Sequence, residues 1–320
     1  MIEVRHLLHV LAVADHRHFG RAAEAVHLTQ PALTRSIQAV ERSLGVSLFD
    51  RGRSGVEPTS FGRLVAERGK AIVGEIRDLE REIAVQRGLE SGSLAISLAP
   101  YPGALSGQRA VARLLAAHPG ISCRVQVGDW MRVTRDVLDS AIDVGIADLG
   151  DAASNPELRV EPIVARPLHF VCRPGHALLD RGPLAIEDLT GYPWASTRAP
   201  SRMRAWLPAP PGRAGRWDSR SGDFIPAIET DVMSEFTVLA RESDALVVCT
   251  LTMVEGELAA GRVAVLPFSA PWLRLDYGSI VRRRRTLPPA AEEFMRIVRE
   301  IEAELEQREA ALRERFATRE

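Results

Sequence analysis

The hydrophobic period of this chain changes once, near residue 90, and that change divides it into two parts. From 61 to 89 the pattern is helical without interruption. Val65, Gly69, Ile72, Ile76, Leu79 and Ile83 are spaced alternately by four and three, which is a heptad seam. A helix this long, apolar along one stripe and charged elsewhere, needs a partner. Val65, Ile72, Ile76, Leu79 and Ile83 are therefore expected to form a dimer contact, with packing against the helix's own domain as the alternative. Glu90-Ser91-Gly92-Ser93 then breaks the helix. Beyond it, strand-like runs at 94–99, 122–127 and 143–148 alternate with helical segments at 104–118 and 133–141. Such alternation predicts a parallel sheet covered on both faces. A second cycle comes next, with strands at 168–173, 245–250 and 263–268 and helices near 234–241 and 253–260. Pro167, Pro267 and Pro271 flank this cycle and mark crossing points between two lobes; 274–283 reads as a last strand and 289–316 as a closing helix.

Before the seam the helices are short. Leu7, Leu8, Leu11 and Ala14 share a face of a helix at 3–15, and a second helix at 21–26 turns Ala22, Ala23 and Val26 inward. Thr29 stands as the N-cap of a third helix, with Pro31 in its first turn and Gly45 as terminator. At ~100° per residue, Leu33, Ile37, Val40 and Leu44 fall in one narrow stripe, while Pro31, Thr34, Arg35, Gln38 and Arg42 lie opposite. One face is core and the other is small, polar and basic. The segment after Leu48-Phe49 reverses tightly through Asp50-Arg51-Gly52-Arg53-Ser54-Gly55, and two arginines in such a turn suit a wing lying along a phosphate backbone.

Composition excludes several classes. A chain of 320 residues implies two or more domains, and 46% apolar with 26% charged residues is a globular balance. No apolar run approaches the ~18 residues of a membrane span. The N-terminus has no leader pattern, so a cytoplasmic protein is expected. The formal net charge is −1, and residues 1–58 hold seven arginines against six acids, so DNA binding has to rest on a local motif. Lys70 is the only lysine among 41 basic residues, which we ascribe to coding bias. Cys123, Cys172 and Cys249 lie far apart in apolar runs and read as small buried hydrophobes. Five of the eight histidines fall in residues 6–27 without a ligand set and read as surface or helix-end groups. No catalytic residue, metal or cofactor is expected.

The first ninety residues resemble a LysR-type transcriptional regulator. The likeness rests on Phe19, on Arg21-Ala22-Ala23-Glu24, and on Leu28-Thr29-Gln30-Pro31-Ala32-Leu33-Thr34-Arg35. It continues through Ile37, Glu41, Leu44-Gly45-Val46, Leu48-Phe49-Asp50-Arg51, and Thr59 with Gly62. The resemblance implies an α/β protein with a winged helix-turn-helix at 1–59 and a linker or dimerisation helix at 60–90. A two-lobed effector domain, like a periplasmic binding protein, then fills 91–310, with lobe I at about 93–165 and 272–310 and lobe II at about 166–271. It implies no enzymatic activity, and as partners double-stranded DNA with an interrupted palindromic operator, a small-molecule effector, further copies of the chain in a dimer or tetramer, and RNA polymerase. The rival readings are a thiol-redox regulator and an α/β enzyme.

A recognition helix reads the major groove with residues near its N-terminus. That nominates Gln30 for adenine edges, Thr34 for a hydroxyl or methyl contact, and Arg35 for guanine or phosphate. Arg21, Thr29, Pro31, Ala32 and Gln38 complete the set, with Arg51 and Arg53 on the wing as phosphate contacts. Strand ends and helix N-termini point at the cleft of such a domain. They nominate Pro100, Tyr101, Pro102, Asp129, Trp130 and Asp148 in the first lobe. In the second lobe they nominate Ser196, Thr197, Arg198, Thr230, Asp231 and Thr250. An anionic effector is expected, held between free N–H groups after Pro102 and a cation such as Arg198, Arg202 or Arg204.

Overall fold

The computed structural model describes residues 2–52, 55–87 and 92–317. It divides into two compact units, the first built on residues 1–87 and the second on most of the chain from residue 88 onward.

The first unit strings together α1 (Val4–His16), α2 (Phe19–Ala25), α3 (Gln30–Leu44), a hairpin of β1 (Phe49–Gly52) and β2 (Gly55–Pro58), and α4 (Ser60–Arg87). Local chemistry sets each boundary. Arg17 turns left-handed at φ 48° and ends α1. The cap of α2 is His18, whose imidazole Nδ1 accepts from the N–H groups of Gly20 and Arg21 at 3.1 and 3.2 Å. The Thr29 hydroxyl accepts from Ala32 N–H at the head of α3, and Gly45 closes that helix at φ 71°. Val10, Val13, Phe19, Ala22, Leu33, Ile37, Val40 and Leu48 form one core. Glu41 fastens the wing to α3 by accepting from Leu48 N–H at 2.7 Å and Phe49 N–H at 3.4 Å. Pro58 ends the ladder opposite Phe49, where its missing N–H costs little.

In the second unit the strands run, in chain order, β3 (Gly92–Leu98), β4 (Ile121–Val127), β5 (Val144–Ala147), β6 (Leu158–Pro167), β7 (His169–Cys172), β8 (Trp194–Ser196), β9 (Gly215–Trp217), β10 (Phe224–Pro226), β11 (Ile228–Glu229), β12 (Leu246–Cys249), β13 (Ala264–Val265) and β14 (Arg274–Arg282). One five-stranded sheet has the order β4-β3-β5-β14-β6 and the other β11-β8-β12-β7-β13. Neither is the purely parallel sheet that strand-helix alternation predicts: β14 is antiparallel to β5 and β6, and β7 to β12 and β13. The reason is the double crossing between lobes. The chain leaves the first sheet along β6 and returns along β14, so the two crossing strands pair in opposite directions. Arg274 lies opposite Pro167, and Leu168 N–H donates to Leu273 O at 2.9 Å.

The Pro- and Arg-rich stretch after β8 is folded into the second lobe: Leu207 and Ala214 are buried in the same core as Phe170, Trp194 and Phe224. The closing helix Pro289–Phe316 serves both lobes. Phe294 and Ile301 are fully buried in its first half, whereas Leu312 belongs to a core with Val171, Ala195, Phe236 and Val247 of the second lobe. Glu309, buried on that half, accepts from Leu251 and Thr252 N–H at 2.7 and 3.0 Å.

Gly62 is where α4 approaches the wing most closely. A Cβ there would stand 2.0 Å from Leu48 O, while Thr59 holds the same junction by donating to Ser47 O at 2.8 Å and accepting from Gly62 N–H at 3.0 Å. A backbone carbonyl cannot swing aside. We expect Gly62→Ala to lower the thermal unfolding midpoint with a cost of about 1–3 kcal/mol. Gly256→Ala, where a Cβ meets nothing within 4 Å, is the control and should change it by no more than about 0.5 kcal/mol.

Candidate functional site

On α3 the core residues Leu33, Ile37 and Val40 turn inward, Pro31, Arg35 and Gln38 are exposed on the other side, and Gln30 is exposed at the start of the helix. Ala32 and Thr34 are half-buried between them. Thr29 is spent as a cap. Arg21 is exposed but donates to His16 O at 3.2 Å, tying the end of α1 to α2. The backbone of Arg51 lies in β1; its side chain and Arg53 lie outside the described residues. Not every histidine here is a surface group. His9 is half-buried, with Nδ1 2.6 Å from Ser36 Oγ, and burial beside His6 and Arg5 lowers its pKa.

Along α4 the seam residues separate. Ile72, Leu79 and Ile83 are 47%, 57% and 46% exposed. Val65 instead packs on the core of its own unit, Gly69 is buried beside Leu7, and Ile76 is half-buried. Phe61 and Leu64, at 50% and 52%, take their place. A strict seven-residue repeat drifts ~20° per heptad around a straight helix, so the seam starts on the buried side at Val65 and Gly69 and has turned toward solvent by Leu79 and Ile83.

Between the sheets of the second unit lies a cleft enclosing about 1160 Å³ of space open to solvent. Pro100, Tyr101, Pro102, Trp130, Asp148, Ser196, Thr197 and Arg198 all line it, as do Asp129 and Asp231. Thr230 and Thr250 do not. Thr230 donates its hydroxyl to Glu235 at 3.0 Å, and Thr250 is fully buried with its hydroxyl 3.0 Å from that of Thr252. Thr230 lies between the lining residues Glu229 and Asp231 with its hydroxyl turned to its own loop, and Thr250 lies two residues past Val248. Leu168, Trp272, Leu273 and Tyr277 also line the cleft. Tyr277 belongs to β14, and Leu168, Trp272 and Leu273 lie at the crossings between the lobes, next to the ends of β6 and β14.

The cradle expected for an anion is not assembled. Pro100 and Pro102 have no N–H, and Gly103 N–H donates to Ala99 O at 2.9 Å. Arg198 is committed to Glu229 at 3.2 Å, with Asp218 and Asp223 at 3.7 and 4.0 Å. Arg202 instead reaches across the cleft to Asp148 and grips both of its carboxylate oxygens, one at 2.9 Å. Arg204 lies over the Trp217 ring, 5.1 Å from its centroid. Tyr101 joins the lobes from the other direction: its hydroxyl donates to Val248 O at 2.6 Å and its ring meets Phe236 edge to face.

All three cysteines are free thiols, and Cys172 and Cys249 are buried on β7 and β12. Burial pushes the Cys172 thiol up to about 12 and the Cys249 and Cys123 thiols above their ordinary range. Among the described residues no three His, Cys, Asp or Glu side chains come together as a metal site.

Known proteins share both units. Residues 4–63 match the model of a bacterial regulatory helix-turn-helix protein of the lysR family, and residues 87–302 match the LysR substrate binding domain. The chain is 39% identical over 296 residues to the SDS degradation transcriptional activation protein of a Pseudomonas species, covering 91% of this chain and 94% of that one. It is 26% identical to the HTH-type transcriptional regulator GbpR of Azospirillum brasilense, covering 93% and 86%. Its fold is similar to that of a full-length AphB variant, with a TM-score of 0.60 at 14% identity over 93% of this chain and 98% of that one. It is also similar to full-length CbnR crystallised with its target DNA, at a TM-score of 0.55, 19% identity, and coverage of 94% and 100%.

Thiolate, not thiol, is the reactive form. In the native protein we expect a disulfide reagent such as DTNB to titrate Cys123 alone within minutes, and Cys172 and Cys249 only after denaturant is added. Three fast thiols in the folded protein would contradict the burial described for those two.

Proposed function

Because the chain belongs to the LysR family of bacterial transcriptional regulators, we propose that it reads operator DNA with the exposed face of α3 and responds to a small molecule held in the cleft of its second unit. The observation that carries the first half is the two-sidedness of α3: a buried stripe of Leu33, Ile37 and Val40 sets Pro31, Thr34, Arg35 and Gln38 on the other side, with Gln30 exposed at the helix's first position. Side chains there reach base edges when the helix lies in the major groove, and an arginine can bond guanine through two donors at once. We assign Arg51 and Arg53 of the wing to the phosphate backbone, where they position without reading sequence. We divide the chain into a DNA-binding domain at 1–59, a linker helix at 60–90 and an effector domain at 91–310.

We assign the exposed apolar row Phe61, Ile72, Leu79 and Ile83 to self-association, since apolar side chains about half exposed along one helix face need cover. A two-fold pair of recognition helices then reads an interrupted palindrome. The relative named for activation of SDS degradation supports an activator role over genes that act on an amphiphile. Among the described residues no helix is long and apolar enough to cross a membrane, which accords with a regulator working on chromosomal DNA.

The test is fluorescence anisotropy with the operator and a random duplex of equal length. Arg35→Ala should cost about 1–3 kcal/mol on the operator and leave the random duplex nearly unchanged, so that discrimination falls by roughly five- to 150-fold. Operator preference that survives Arg35→Ala would remove α3 from the role of reader.

A further inference from the structure

We propose that the cleft takes an apolar molecule whose head group donates hydrogen bonds and carries no negative charge, an alcohol or an alkylammonium ion. The proposal rests on the reading of the cleft as the effector site and specifies its ligand. The walls supply the apolar half of the argument: Trp130, Leu168, Met203, Trp272 and Leu275 face the space.

The charges supply the other half. Asp129, Asp148, Glu229, Asp231 and Asp276 line the cleft against only three arginines, Arg198, Arg202 and Arg274. Each arginine is already matched. Arg198 lies 3.2 Å from Glu229, Arg202 clasps Asp148, and Arg274 lies 2.9 Å from Asp276. Among the described residues Asp129 and Asp231 are left without a cation. They come from different lobes, one after β4 and one after β11. Asp129 accepts from Arg132 N–H at 2.7 Å through one oxygen. Burial, and then the charges of Asp129 and Glu229, raise the pKa of Asp231, so the two carboxylates sense one another across the opening.

An entering carboxylate or sulfate would meet two uncompensated negative charges, and each arginine it could reach is already neutralised by a carboxylate beside it. The Pro100–Pro102 turn offers it little in exchange, since two of its residues lack an N–H and Gly103 N–H is taken. A hydroxyl or ammonium group meets the reverse situation. The carboxylate oxygens of Asp129 and Asp231 are acceptors awaiting a donor, and one donor between them would link the lobes.

An eight-carbon series isolates the head group: octylammonium, 1-octanol, octanoate and octyl sulfate, each titrated calorimetrically into the full-length protein. Octylammonium and octanol should bind at least tenfold more tightly than the two anions. In the double variant Asp129→Asn/Asp231→Asn, octylammonium should lose at least tenfold, octanol should change little because the amide oxygens still accept, and the anions should gain. Octanoate or octyl sulfate binding as tightly as the donor-headed pair, or an unchanged ranking in the double variant, would overturn the proposal while leaving the cleft as the effector site. Failure of all four to bind would overturn both.

Discussion

Leu33, Ile37 and Val40 are excluded from solvent almost completely, packed with Val10, Val13, Phe19 and Ala22, and that contact fixes the rotation of α3 about its own axis. A helix has no other means of choosing which side chains face outward. Burying three branched side chains contributes several kcal/mol, so turning α3 by even a third of a revolution is not an available alternative. The Thr29 cap and the left-handed Gly45 set where the helix begins and ends, and Glu41 ties the wing to its far end. The row of Pro31, Thr34, Arg35 and Gln38 is therefore presented by the core beneath it, and the geometry of the proposed reading face is a consequence of packing.

The second unit relies on a different device. Its lobes are joined by two antiparallel crossing strands, and the closing helix is pinned to both. Glu302 accepts from Arg166 on β6 and from the Tyr277 hydroxyl on β14, each at 2.5 Å, with Arg166 and Glu302 1% and 3% exposed. A buried pair of this kind is costly to break, because removing one partner strands a charge away from water. Tyr277 also lines the cleft, so the floor of the site and the anchor of the hinge share a side chain. Above that floor, Arg202 and Asp148 span the opening through two parallel hydrogen bonds, with Asp148 largely covered and Arg202 half exposed.

Much of this was written in the sequence. The caps at Thr29 and Gly45, the strand-helix alternation and three residues of the α3 stripe depend on local chemistry and fell where the residue pattern put them; Leu44, the last residue of that stripe, is exposed at the helix end. Ten of the nominated cleft residues, nine from Pro100 to Arg198 together with Asp231, line the space because strand ends in such folds point there. What the pattern could not give was partnership. Arg198 looked like a free cation, but Glu229 lies 31 residues on and is brought beside it only by the parallel pairing of β8 with β11. His18 reads as a surface or helix-end group, and its imidazole becomes the cap of α2. Val65 fits the heptad by spacing, yet the core of the first unit reclaims it. Long-range pairing decides such cases, and a one-dimensional pattern does not record it.

Binding-site selection from a pool of random duplexes with the full-length protein bears most directly on the reading of α3 and α4. A reader built on the outer face of α3 and paired through α4 should enrich an interrupted palindrome whose half-sites lie about one helical turn or a multiple of it apart. Enrichment of a single asymmetric half-site would contradict the pairing through α4, and a pool that stayed random through successive rounds would contradict the assignment of α3 as a reader of sequence.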